Sequence, residues 1–116
     1  MNAMHPAGQV WQEVCHLEDL VPGSGVALLL EEEGVALYYL PEHSPSVYAL
    51  AHQDPFSGAE VLAYGLLCER DGRWSVAAPL YKQHFDLETG VCWEDESVSV
   101  RTWPVRIQGE RVWLAI

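Results

Sequence analysis

Histidines and carboxylates that could bind a metal ion flank two proline-containing segments. His52, Asp54 and His84 could converge with Glu60 or Asp86, and imidazole and carboxylate ligands suit several divalent metals. Their spacing matches no closed-site pattern, and a single His in a loop is usually a polar surface group or a satisfied core group. A metal site is therefore the minor interpretation of these residues.

Motifs for nucleophilic catalysis and phosphate binding are missing. There is no G-x-S-x-G elbow, and Gly23-Ser24-Gly25 lacks the following helix and Lys of a phosphate-binding loop. The three cysteines, Cys15, Cys68 and Cys92, form no C-x-x-C pair and lie in apolar, strand-like contexts. They are predicted to be buried reduced thiols of a cytoplasmic protein.

The charge of the chain excludes several partners. The formal net charge is -11, which repels nucleic acid and anionic membrane surfaces. No secretion signal is recognisable at the amino end, and the longest apolar stretches are too short to span a bilayer. The acidic runs at 31–33 and 94–96 are interpreted as solvated turns, with a docking rim as the alternative.

Apolar runs rich in Val, Leu, Tyr and Trp recur about every ten residues, separated by turn residues. This rhythm predicts an all-β fold of packed antiparallel sheets. The predicted strands cover residues 11–15, 25–30, 35–40, 47–51, 66–69, 74–77, 97–105 and 112–115. The glycines of Glu31-Glu32-Glu33-Gly34, Arg70-Asp71-Gly72-Arg73 and Gln108-Gly109-Glu110 are predicted to supply positive φ in tight turns.

Helical signals are weak. Short turns are expected at 16–20 and within 58–63, and Pro104 should place the end of strand 97–105 at a sheet edge or bulge. Most of the five tryptophans are expected to pack in the core. The first ten residues are expected to be a flexible segment preceding one domain over 11–116.

Two segments carry more specific information. The first runs from Tyr48 to Ala59 and contains Asp54-Pro55-Phe56. The second runs from Val76 to Gly90 and contains Ala78-Pro79-Leu80-Tyr81-Lys82-Gln83-His84-Phe85. Together they resemble the two cluster-binding loops of Rieske ferredoxins, which carry Cys-Pro-His and Cys-Pro-x-His in the same frame.

The resemblance implies a Rieske-like domain without cluster ligands. Asp54 and Phe56 stand at the first Cys and His positions, and Ala78 and Tyr81 stand at the second pair. A Rieske centre needs two thiolates and two imidazoles, so these positions imply no iron–sulfur cluster in this chain. Pro55 and Pro79 remain, which indicates that the loop shapes persist.

Together with Cys92-Trp93-Glu94-Asp95, these motifs resemble one subfamily, the small subunits of cytoplasmic NAD(P)H-dependent assimilatory nitrite reductases. The resemblance covers about residues 11–114. It implies a large-subunit partner that carries FAD, a 4Fe–4S cluster and sirohaem and reduces nitrite to ammonium. This chain would hold no cofactor and no catalytic residue.

In the Rieske plan the two loops form an exposed end that faces the redox partner. The candidate partner-binding residues are therefore Asp54, Phe56, Leu80, Tyr81, Lys82 and Gln83. Aromatic anchors with a polar rim are typical of interfaces, although Phe56 and Tyr81 could equally pack the loops together. Two alternatives remain open: an electron-carrying ferredoxin, and a free-standing Rieske-like interaction or regulatory domain with another reductase or oxygenase partner.

Overall fold

Ten short strands account for the recurring apolar runs within residues 9–116, the part of the chain that the computed structural model describes. They are β1 (Trp11–His16), β2 (Ser24–Leu30), β3 (Glu33–Tyr39), β4 (Val47–Ala51), β5 (Leu66–Arg70), β6 (Arg73–Ala77), β7 (His84–Asp86), β8 (Thr102–Trp103), β9 (Val105–Gln108) and β10 (Arg111–Ala115).

The strands form three antiparallel sheets. The central sheet has the order β2-β3-β4-β8, and the two outer sheets have the orders β1-β10-β9 and β5-β6-β7. Each strand pairing joins two consecutive strands as a hairpin, except the pairings of β1 with β10 and of β4 with β8. The prediction of an all-β fold of packed antiparallel sheets is confirmed.

The central sheet buries both of its faces. Along β3, Val35 and Leu37 point into one cluster with Val112 and Leu114, because alternate residues of a strand face opposite sides. The intervening Ala36 and Tyr38 point into a second cluster, shared with Val76, Phe85 and Leu87 of the β5-β6-β7 side. The second cluster supports the two loops described below.

Within residues 9–116, helical structure is limited to two 3-10 turns, Leu17–Asp19 and Leu62–Tyr64. The first confirms the turn expected at 16–20, and the second lies at the end of the segment 58–63 and extends past it. Across residues 9–116 no helix has the length and apolar character needed to cross a membrane.

The prediction of a single strand over 97–105 is wrong. Val98 and Val100 bond to Asp95 and Gly90 as parts of a loop, and only Thr102–Trp103 pairs with β4. Pro104 has no N–H to donate, so pairing stops there and resumes in β9. The strand β7 lies inside the segment interpreted as a loop motif and was not predicted.

Two further expectations need correction. In the turn after β2 the residues with positive φ are Glu31 and Glu32, whereas Gly34 lies inside β3, where a Cβ would be 3.2 Å from the Cβ of His52. Of the five tryptophans only Trp103 is fully buried, and the rest are half-buried. The segment expected to be flexible lies mostly at 1–8, outside the described residues.

The hydroxyl of Tyr38 connects the central sheet to the 62–64 turn by donating to the Leu62 carbonyl over 2.6 Å in the buried core. We expect Tyr38→Phe to lower the free energy of unfolding by about 1 kcal/mol, because one buried hydrogen bond is lost. Urea denaturation measures this. Tyr39→Phe is the matched control, since Tyr39 follows on the same strand but is half-buried on the other face. An equal loss in both variants would contradict the role of the Tyr38 hydroxyl.

Candidate functional site: the two-loop tip

The first loop, residues 52–60, follows β4 and closes as a compact turn. The N–H of Asp54 donates to the carbonyl of Ala59 over 2.8 Å, and the N–H of Gly58 donates to the carbonyl of Asp54 over 2.7 Å. Gly58 has φ +79, a left-handed conformation that Gly adopts without a steric penalty. Pro55 occupies the position after Asp54, where its fixed φ suits a turn.

The second loop, residues 78–83, joins β6 to β7 and has the same turn geometry. Ala78 N–H donates to the Gln83 carbonyl over 2.8 Å, and Lys82 N–H donates to the Ala78 carbonyl over 3.0 Å. Lys82 therefore stands where the first loop has Gly58, and it has φ +68. We call these two turns, 54–59 and 78–83, the tip. The loop shapes are maintained by backbone hydrogen bonds within each turn.

The carboxylate of Asp54 serves its own loop. Asp54 is fully buried, and its Oδ1 accepts a hydrogen bond from the N–H of Phe56 over 2.9 Å. Its Oδ2 is also buried and has no hydrogen-bond donor among the described residues. The structure therefore places Asp54 beneath the surface, so it is a poor candidate for direct contact with a partner.

The exposed residues of the tip are mainly apolar. Leu80 is 54% exposed and Tyr81 is 60% exposed, and Lys82 is exposed beside them. Phe56 is partly exposed and its ring lies 6.1 Å from that of the buried Phe85. Gln83 is half-buried. Of the sequence candidates, Leu80, Tyr81 and Lys82 are thus available to a partner, and Phe56 both packs the loops and reaches the surface.

A network around Asp86 joins β7, which follows the second loop, to β6 and to the segment around Trp93. The buried carboxylate of Asp86 accepts hydrogen bonds from Arg73 (2.6 Å), Trp93 Nε1 (3.2 Å) and the backbone N–H groups of Glu88 and Thr89. Burial by itself would raise the pKa of Asp86, but these hydrogen bonds outweigh it and lower the pKa below its usual value. Asp86 is therefore a charged, structural carboxylate.

Trp93 and His84 complete this side. Their rings stack with centroids 5.7 Å apart, and the guanidinium of Arg70 lies 4.8 Å from the Trp93 ring. His84 Nδ1 lies 2.7 Å from Glu94 Oε2, and the N–H of His84 donates to Glu94 Oε1. His84 is thus engaged in a stack and in contacts with Glu94, which fix the strand that follows the second loop.

His52 holds the base of the first loop. Its Nδ1 accepts a hydrogen bond from the N–H of Ala63 over 3.1 Å, and its carbonyl accepts from Val61 and Leu62. Burial lowers the pKa of His52, and the nearby charge of Glu60 opposes this shift. The hydrogen bond from Ala63 requires an unprotonated Nδ1 and therefore a neutral imidazole, because a protonated Nδ1 cannot accept. The edge of the ring also contacts Tyr64, with centroids 5.2 Å apart.

The convergence of His52, Asp54, His84, Glu60 and Asp86 on a metal ion is not found. Asp86 is saturated by its own donors and His84 is paired with Glu94. Across residues 9–116 no group of three or more His, Cys, Asp or Glu side chains has a geometry that could hold a metal ion.

The residues at the tip do not fit an iron–sulfur cluster. The methyl group of Ala78 is buried in the core below the second loop, and the carboxylate of Asp54 accepts a bond within its own turn. The cysteines lie elsewhere: Cys15 is on β1, Cys68 is on β5 and Cys92 is in the core. Burial, with the charges of Asp19 and Glu13, raises the pKa of Cys15 to about 11, which disfavours a thiolate.

Comparison with known proteins agrees with this geometry. The family model described as a Rieske-like [2Fe-2S] domain matches residues 10–115. The nitrite reductase (NADH) small subunit of Salmonella typhimurium is 44% identical over 98 residues, covering 84% of this chain and 90% of that protein. This chain belongs to the Rieske-like family of nitrite reductase small subunits.

Two other relatives are a solved structure of a small subunit and a large subunit that contains a similar domain. The NMR structure of the E. coli protein NirD matches with a TM-score of 0.82 at 40% identity, covering 93% of this chain and 97% of that one. A nitrite reductase [NAD(P)H] large subunit from Klebsiella oxytoca is 36% identical over 104 residues, covering 90% of this chain but 11% of the large subunit. In that protein a domain like this one is part of the large-subunit chain.

Sequence reasoning missed two exposed residues next to the tip. Tyr64 is 66% exposed and Leu66 is 71% exposed. Leu66 was assigned to a strand, and an apolar residue in a strand is usually buried. Only the pairing of β5 with β6 shows that Leu66 lies on the outer face, so no signal in the sequence could have identified it.

The Asp86 network predicts a specific loss of stability in acid. Because the pKa of Asp86 is lowered in the folded protein, the unfolded chain binds more protons as the pH falls. The contribution of Asp86 is therefore complete above its unfolded pKa of about 3.9 and is lost as the pH falls through the lower folded value. We expect Asp86→Asn to cost about 3 kcal/mol at pH 7, and up to about 1 kcal/mol less at pH 3, because the unfolded carboxyl is largely protonated there.

Urea denaturation at the two pH values measures both quantities. Glu88→Gln is the control, since it removes a neighbouring exposed charge while the backbone N–H that bonds to Asp86 remains. An Asp86→Asn cost that is the same at pH 7 and pH 3 would contradict the assignment of a charged Asp86.

Proposed function

We propose that this chain is the non-catalytic small subunit of a cytoplasmic NAD(P)H-dependent nitrite reductase in nitrate assimilation. It would bind the large subunit, where FAD, a 4Fe–4S cluster and sirohaem would reduce nitrite to ammonium. The small subunit would contribute no cofactor and no catalytic group. It would support the assembly or activity of the large subunit by binding it.

The observation that carries this proposal is the composition of the tip. Both turns keep their backbone hydrogen bonds, while the positions that would hold a cluster contain apolar or inward-facing groups. The outward surface is formed by Leu80 and Tyr81 with Lys82 beside them. Exposed apolar and aromatic side chains with a polar neighbour are typical of a protein interface, so the tip is suited to docking.

The Klebsiella oxytoca relative supports the choice of partner. A domain similar to this chain is covalently part of a large subunit there, which keeps the two at a high local concentration. A chain that is separate must achieve the same association through its surface. The small subunits similar to this chain over most of their length belong to the same enzyme.

The decisive test is reconstitution. We expect the large subunit from the same cells to co-purify with this chain carrying an affinity tag, and NAD(P)H oxidation with nitrite to be faster with the chain than without it. A large subunit that is equally active alone and does not bind the chain would contradict the proposal. Repeated recovery of an unrelated enzyme would instead favour a free-standing interaction domain.

Lys82 offers a test that separates binding from stability. It is the only lysine in a chain of net charge -11, and we propose that it meets a carboxylate of the large subunit. Lys82→Glu should weaken the association about fivefold, because the charge is reversed at the edge of the interface. Isothermal titration calorimetry with the purified large subunit measures the affinity.

Lys82→Gly is the matched control variant. A residue with a side chain at φ +68 is strained, so Gly should raise the free energy of unfolding by roughly 0.5–1 kcal/mol, net of the entropy gained by the unfolded chain. It should nevertheless weaken the association, since the charge is lost. Unchanged affinity in both variants would remove Lys82 from the interface.

A further inference from the structure

Two exposed apolar side chains, Tyr64 and Leu66, lie beside the tip. Nine large apolar side chains are exposed within residues 9–116. Five of them lie at or next to the two loops, namely Phe56, Tyr64, Leu66, Leu80 and Tyr81. Scattered exposed apolar residues need no explanation, whereas a group of them at one end of a domain indicates an interaction surface.

Leu66 is joined to the second loop by strand register. It pairs with Ala77, the residue before Ala78, and Ala77 pairs in turn with His84. Residues paired across antiparallel strands point to the same face, so Leu66 shares the outer face of this sheet with His84 at the base of the loop. The strand β5 is also the free edge of its sheet.

Tyr64 is joined to the first loop through His52. The ring contact places Tyr64 against the residue that begins that loop. Between the two side chains, Gly65 packs so closely on β6 that an added Cβ would collide with the carbonyl of Ala77 and lie 2.7 Å from Val76 Cγ2. This glycine lets the segment that carries Tyr64 and Leu66 lie directly against the start of the second loop.

The backbone beneath these side chains is held by several hydrogen bonds. The Leu62 carbonyl of the 62–64 turn accepts a hydrogen bond from the Tyr38 hydroxyl, and the Ala63 N–H donates to His52 Nδ1. The N–H of Gly65 closes the turn on the carbonyl of Leu62 over 3.1 Å. Tyr64 and Leu66 are thus presented on an ordered base, which reduces the entropy lost on binding.

We infer that Tyr64 and Leu66 form a second part of the docking surface, continuous with the tip, and that its occupant is an apolar surface of the nitrite reductase large subunit. This inference rests on the proposed function and extends the interface to the edge of β5. A second copy of this chain is the less suitable occupant, because two molecules that each carry a net charge of -11 repel each other.

The test uses the purified large subunit and variants of the full chain. We expect Leu66→Ser and Tyr64→Ser each to weaken the association about tenfold, because each change removes a large apolar side chain that would be buried on binding. Leu66→Met should retain most of the affinity, since it keeps the apolar volume. Val10→Ser is the matched control: Val10 is 58% exposed, and its carbonyl accepts from Ile116, which packs on the cluster at the opposite face of the central sheet.

The outcomes separate this inference from the proposed function. If the wild-type chain binds and Lys82→Glu weakens binding while both serine variants bind normally, the extended surface is wrong and the proposed function stands. If the wild-type chain does not bind, both are overturned. Thermal unfolding of each variant shows whether it is folded. Leu66→Arg is a second variant at the same exposed position, and it should weaken the association as Leu66→Ser does.

Size-exclusion chromatography with light scattering tests the competing occupant. A monomer whose mass is unchanged by Leu66→Ser supports the large subunit as occupant. A dimer that dissociates in Leu66→Ser would assign this surface to self-association and overturn the inference.

Discussion

The carboxylate of Asp86 is the interaction that joins the elements on either side of the second loop, because it connects β6, β7 and the segment around Trp93. Its two oxygens accept hydrogen bonds from the Arg73 guanidinium, the Trp93 indole and two backbone N–H groups. These donors come from β6, from the turn after β7 and from the segment around 93, so one buried charge connects three parts of the chain. Trp93 then stacks on His84, directly after the loop. The strand that follows the loop is thereby held in place.

A domain of this family can therefore keep its two loops without metal ligation. Each turn closes through the same pair of backbone hydrogen bonds, and Phe56 packs towards the buried Phe85 below. The groups at the four ligand positions then acquire other roles. Asp54 caps its own turn and Ala78 fills the core, while Tyr81 lies on the surface. The loop geometry is retained, and its exterior is available for protein contacts.

Much of the fold could be predicted from the sequence, because strand periodicity and turn residues are local signals. The strands around β1 to β6 and β10 were located to within about two residues. The interval 97–105 was not, because its alternating pattern satisfies two cores in turn, with Val100 in one and Trp103 in the other. The candidate site was partly predicted: Leu80, Tyr81 and Lys82 are exposed, whereas Asp54 is buried. The side chain of a loop residue can point to solvent or to the core, and the direction depends on the packing beneath the loop.

The sequence by itself determined the all-β architecture, the family and the loss of cluster ligands, because these follow from residue types at fixed positions along the chain. Tertiary structure alone decided which groups face outward. Leu66 and Val76 are both apolar strand residues, yet the pairing of β5, β6 and β7 places Leu66 on the solvent side and Val76 in the core. The reason is physical: the side of a sheet that becomes buried depends on which other sheet packs against it, and no local pattern contains that information.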